Sequence, residues 1–171
     1  MNGGMSMHNT ISAIEHDIEQ LESPNSNISD EALQDIERRI VDQKTKIRES
    51  LSPSKSREAE RLNEIAGKVN SNISSAFDRF DSVKQLKDYL EPIFQRGKID
   101  TTYGRALVLI EETKLIEYVK DYFNKPEDDY ELCHYIVSKA IELSDKIMTD
   151  QYTALLKLEL RFFDQKFAGL K

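Results

Sequence analysis

Isoleucine and leucine recur through the first fifty residues at intervals of three and four, the spacing that stacks side chains on one face of an α-helix. Ile11, Ile14, Ile18 and Leu21 predict a first helix over about 11–21, ended by the polar run from Glu22 to Asn27, whose composition is that of a turn. Leu33, Ile36, Ile40, Ile47 and Leu51 predict a second helix over about 30–51, with Ser29 as its N-cap and acids in its first turn. Lys44 interrupts that stripe. A stripe this narrow is the seam of a coiled coil. Residues 11–55 are therefore expected to form a coiled-coil-like amphipathic hairpin, preceded by a flexible tail over 1–10.

A polar break at Ser52-Pro53-Ser54-Lys55-Ser56 precedes the most regular pattern of the chain. Leu62, Val69, Ala76, Val83 and Leu90 recur every seven residues, with Ala66, Ile73 and Phe80 between them. This ladder predicts one long helix from about Ser56 to Phe94, or two in line if Ser82 and Gln85 act as a capping box near Asp81. Gly97 is expected to close it. Asp100 or Thr101 then caps a fourth helix to about Phe123, whose wide apolar face, including Tyr103, Leu107, Ile110, Leu115 and Tyr118, implies burial from more than one side. The stretch from Asp129 to Phe167 reads as helical throughout. Prolines 24, 53, 92 and 126 stand where apolar patterns stop, as the missing amide and the clash with the preceding turn require. No run alternates apolar and polar residues as a strand does. The expected fold is all-α: an elongated antiparallel helical bundle of long amphipathic helices over 56–171, carrying the N-terminal hairpin.

The distribution of rings sharpens this picture. All fourteen Phe and Tyr residues lie at or beyond Phe77, and there is no Trp. Aromatic side chains are the bulkiest core fillers, so the ring-free hairpin is expected to be a thin seam in need of a covering surface. Ile11, Ile14, Ile18, Leu21, Leu33, Ile36, Ile40 and Ile47 are the residues expected to bind a protein partner or a second copy of the chain.

Charge narrows the partners. The chain carries 24 basic and 31 acidic residues, a net −7. Both halves are acidic, and the clusters Arg38-Arg39 and Lys44 to Arg48 are interleaved with acids. Displacing the counterions of nucleic acid, or binding an anionic membrane, needs clustered Lys and Arg that this chain lacks. No apolar run reaches the roughly 20 residues that span a bilayer, and the start lacks the apolar stretch of a signal peptide, so membrane contact is at most indirect. A single cysteine, Cys133, excludes an internal disulfide and fits a reducing, cytoplasmic setting.

Candidate chemistry is sparse. Glu131 and His134 have the E-x-x-H spacing that places a carboxylate and an imidazole on one helix face, but di-iron bundles require that motif twice. Glu127, Asp128 and Asp129 lack the glycine and ligand pattern of a calcium loop and read as helix-start charges. No phosphate-cradling loop or nucleophile elbow is present, so no catalytic residue, cofactor or metal is expected. Tyr118, Tyr122, Tyr130 and Tyr135 could line a pocket of a ligand-binding or regulatory bundle, or simply fill a core. Phe162, Phe163 and Phe167 either close the bundle or offer a docking surface. Ser23-Pro24 and Ser52-Pro53 are candidate phosphorylation turns. The leading expectation is a non-enzymatic protein–protein interaction or scaffold subunit of a larger assembly. Its layout is similar in outline to subunits of vesicle-tethering complexes, which makes a membrane-trafficking tether component one setting for it. No motif supports that outline, and no family is assigned.

Overall fold

The computed structural model describes residues 7–24, 29–51, 57–109, 125–147 and 150–168. Among the described residues there is no strand, and the helices are α1 (Met7–Glu22), α2 (Asp30–Leu51), α3 (Arg57–Arg79), α4 (Val83–Ile99), α5 (Thr101–Leu109), α6 (Pro126–Ile147) and α7 (Asp150–Lys166). The fold is the all-α helical bundle that the apolar spacing predicts. No helix among the described residues is long and apolar enough to cross a membrane.

Local chemistry sets the helix ends. The Ala32 amide donates to Ser29 Oγ at 3.2 Å, and Asp30 and Glu31 sit in the first turn, so α2 begins where the N-cap reading puts it. Helix α1 starts at Met7, which makes residues 7–10 helical instead of part of a tail. The long helix expected from Ser56 to Phe94 is two helices. Ser82 takes an extended conformation (φ −137°, ψ 153°), its Oγ accepts the Gln85 amide at 3.2 Å, and Gln85 Oε1 accepts the Asp81 amide at 3.0 Å. This local capping ends α3 and restarts the chain as α4, although the sevenfold ladder runs on in sequence across the break. Leu62, Val69, Ile73, Ala76, Val83 and Leu90 of that ladder are buried on both sides of it.

Two breakers behave differently from expectation. Pro92 lies inside α4 on its exposed side, where water can reach the carbonyl it leaves unpaired, and the helix continues to Ile99. Gly97 does not close the helix either. It is a buried crossing point, because a Cβ there would stand 2.7 Å from Leu107 Cδ1 and 3.2 Å from Leu143 Cδ1. Only a residue without a side chain lets α4, α5 and α6 approach so closely. Asp100 then caps α5, accepting the Tyr103 amide on Oδ1 at 3.2 Å. The remainder of the expected fourth helix, from residue 110, lies outside the described residues.

The last stretch is a hairpin, not one helix. Tyr130, at the start of α6, donates from its hydroxyl to Asp164 near the end of α7, while Ser144 and Thr153, nine residues apart, share a bond of 2.6 Å near the turn. Helices α6 and α7 are therefore antiparallel neighbours. Phe162 and Phe163 are buried in the core, and Phe167 packs on Tyr130 with ring centres 5.5 Å apart, so these rings close the bundle.

Two layers of packing result. In one, α3, α4, α5 and α6 pack together; in the other, α1 and α2 pack on each other and on α7. The α6–α7 hairpin joins them. Helices α4 and α6 run parallel, as shown by ion pairs at a constant offset of 44 residues: Lys87 to Glu131 at 2.9 Å and Lys98 to Glu142 at 3.0 Å. One apolar cluster contains Ile14 and Ile40 of the hairpin together with Leu90 of α4 and Phe163 of α7, so a single core crosses the expected boundary at residue 55.

Candidate functional site

The covering surface that a ring-free hairpin needs is supplied by the chain itself. Ile14, Ile18, Leu21, Ile36, Ile40 and Ile47 are buried, and Ile11 and Leu33 pack half-buried against the same cluster. Helix α7 brings the missing rings, Tyr152, Phe162 and Phe163. The eight aliphatic residues expected to meet a partner thus lie in or against one apolar cluster, and both helices of the hairpin pack on α7.

That face is not wholly apolar. Gln43, Lys44 and Arg48 of α2, Thr153 and Glu159 of α7, and Ser144 of α6 are all buried. Lys44 is 0% exposed and Glu159 is 3% exposed, and Lys44 Nζ donates to both Glu159 oxygens at 2.8 Å. Arg48 donates to the Tyr152 hydroxyl at 3.0 Å and to Thr45 Oγ1 at 3.1 Å. Nearer the other end of α7, Lys166 meets Glu37 at 3.2 Å in a partly exposed pair. These three links run in opposite order along α2 and α7, so the helices are antiparallel. Beside them Arg161 of α7 grips Glu22 of α1 with two bonds, of 3.0 and 2.6 Å. Arg161 holds the Glu22 carboxyl below its ordinary range, mainly through those hydrogen bonds and against a smaller opposing effect of burial.

Helical spacing explains how charges come to lie in this seam. Lys44 follows Ile40 by four residues and precedes Ile47 by three, so it points along the same stripe. Glu159 follows Leu155 by four and precedes Phe162 by three. Sequence reasoning registered the first interruption and missed the second. The available signal was a charge of each sign at the centre of two separate apolar stripes.

The other residues weighed from the sequence take structural contacts. Glu131 pairs with Lys87, while the His134 ring stacks at 5.9 Å from Tyr130 and its Nδ1 lies 3.5 Å from Ser138 Oγ. Among the described residues no three His, Cys, Asp or Glu side chains gather as a metal site. Tyr130 and Tyr135 face different interfaces. Burial, and then the Asp164 carboxylate, push the Tyr130 phenol up to about 12. Tyr135 sits edge-on to Phe94 with its hydroxyl 3.3 Å from Glu91, and burial first and Glu91 second raise its phenol well above the ordinary 10. Tyr118, Tyr122 and Ser52 lie outside the described residues; Ser23 is exposed just past α1. A groove of about 360 Å³ is lined by Val69, Asn72, Asp88, Tyr89, Pro92, Ile93 and Tyr103, none of them the tyrosines singled out from the sequence.

No protein-family model matches the chain, and neither a curated protein nor a solved structure matches it significantly.

Proposed function

We propose that this chain is a non-enzymatic protein–protein interaction or scaffold subunit, and that the α1–α2 hairpin is its interaction element. One observation carries the reading: among the described residues the hairpin packs substantially on one other helix, α7, through an aliphatic face without rings. A two-helix element whose described support is one helix can exchange that helix for a helix of another molecule. A reading without catalysis is supported by the use made of ionisable groups, which pair helix to helix at the seams. The proposal takes the cytoplasm as the setting, on the strength of one buried cysteine, Cys133. Tethering in membrane traffic is one process such a subunit would serve.

The test uses the full chain with photoreactive side chains at the exposed positions Glu19 and Gln34 on the hairpin, and at Asn63 and Ser71 on α3. Cross-links to a partner or a second copy are expected from the hairpin set in preference to the α3 set. Light scattering that finds only a monomer, together with a hairpin set that yields no adduct, sinks the proposal.

A further inference from the structure

We propose that the groove between α3 and α4 is a docking site for an amphipathic helix of a partner protein, one that carries two carboxylates seven residues apart with aliphatic side chains between them. The site belongs to the other layer from the hairpin, and it stands whether or not the hairpin has a partner.

The groove follows from how three helices meet. Helix α5 packs on both α3 and α4, while those two make little contact with each other. The space of about 360 Å³ left between them is lined by Val69 of α3, Tyr89 and Ile93 of α4 and the buried Tyr103 of α5. Asn72 and Asp88 are the polar interruptions of that wall. An apolar groove of this kind receives the apolar face of a helix.

Two arginines give the groove a sign. Arg96 follows Tyr89 by seven residues and Ile93 by three, so it shares their face of α4, and its guanidinium stacks 4.1 Å from the centre of the Tyr103 ring. Arg79 follows Asn72 by seven on α3, and its guanidinium lies 5.1 Å from the centre of the Phe80 ring and 6.0 Å from that of Tyr89. Both arginines are exposed, and among the described residues neither meets a carboxylate. The Asp88 carboxylate is taken by Lys84 at 3.1 Å. A chain of net charge −7 thus keeps two cations along one apolar groove.

The rings hold each guanidinium by its face and leave its N–H edge for a ligand. That planar fork matches a carboxylate with two bonds. Along α4, the seven residues from Tyr89 beside Arg79 to Arg96 span about 10 Å at 1.5 Å per residue. A helix lying along α4 presents acids at i and i+7 over that span, and its i+3 and i+4 side chains face the apolar wall between them. The apolar wall is what favours such a helix over a polyanion, whose charges would find no cation there.

The experiment is fluorescence anisotropy of a labelled helical peptide with Glu at i and i+7 and Leu at i+3 and i+4, titrated with the full chain. Saturable binding is expected. Arg79→Gln or Arg96→Gln is expected to weaken it about tenfold or more, whereas Lys46→Gln on α2 leaves it unchanged. Exchanging both peptide Glu residues for Gln is expected to cause a similar loss, and that loss owes nothing to folding because the protein is untouched. No binding up to about 1 mM chain, equal binding of the Gln peptide, or an equal loss with Lys46→Gln overturns the site. Anionic vesicles or RNA held through Arg79 and Arg96 where the peptide fails overturn it as well. Each of these failures leaves the hairpin reading untouched.

Discussion

Two seams of this molecule use the same chemistry in opposite places. Between α4 and α6, the pairs Lys87–Glu131, Lys98–Glu142 and Lys139–Glu91 lie at the edge, with at least one partner of each well exposed to water. Leu90, Phe94 and Ile136 fill the layer with apolar bulk. Between α2 and α7 the ion pair is buried, with Ile40, Ile47, Leu155 and Phe162 along the same two stripes and polar groups such as Arg48 and Thr153 buried on the same face. Position decides what a salt bridge does: at a rim water shares the work, so the pair contributes little, whereas in a buried seam water does not stand in for a missing partner.

The largest expected effect tests that contrast directly. Glu159→Ala removes the buried carboxylate that Lys44 grips with two bonds and should cost about 3–5 kcal/mol, measured by urea unfolding, whereas Glu91→Ala should cost under about 1 kcal/mol. Equal losses would erase the distinction between buried seam and rim. An intermediate effect is expected where α4 is held by contact and not by charge. Gly97→Val should cost about 1–3 kcal/mol through its clash with Leu107 and Leu143, and Leu107→Ala in the same chain should recover part of the loss in the same melts. The smallest effects belong to the rim.

Rim carboxylates should also respond to acid and salt. Hydrogen bonds from Arg161, Lys139 and Lys98 lower the pKa values of Glu22, Glu91 and Glu142 respectively. A carboxylate depressed in the folded state stabilises the fold fully above its ordinary 4.5, and that stability is lost as pH falls through the lower folded value. Replacing all three by Gln should flatten the acid limb of a stability-versus-pH curve. Raising salt should weaken the rim pairs and leave the Lys44–Glu159 seam almost untouched. An acid limb unchanged in the triple variant would assign the acid response to other groups.

Much of this architecture is legible in the order of residues. Ser29, Ser82 and Asp100 mark helix starts because a cap is a contact between residues three apart. The aliphatic stripe of the hairpin is equally plain. Two things were hidden for a physical reason. The fold-back between α6 and α7 has no glycine or proline to announce it, and the apolar pattern from Tyr130 to Phe163 runs on past it. The Lys44–Glu159 pair joins residues 115 apart, so nothing local to either one reveals the other. Gly97 and Pro92 mislead in the opposite sense, as breakers whose tertiary surroundings give them other work.

The same separation of 115 residues has a consequence on the ribosome. At about 5–20 residues per second, roughly 6–23 s pass between synthesis of Lys44 and synthesis of Glu159. Throughout that interval the nascent hairpin exists without α7, its oily flank uncovered and its lysine still hydrated. Any chaperone or assembly companion that engages the chain during translation meets that flank before the last helix can claim it.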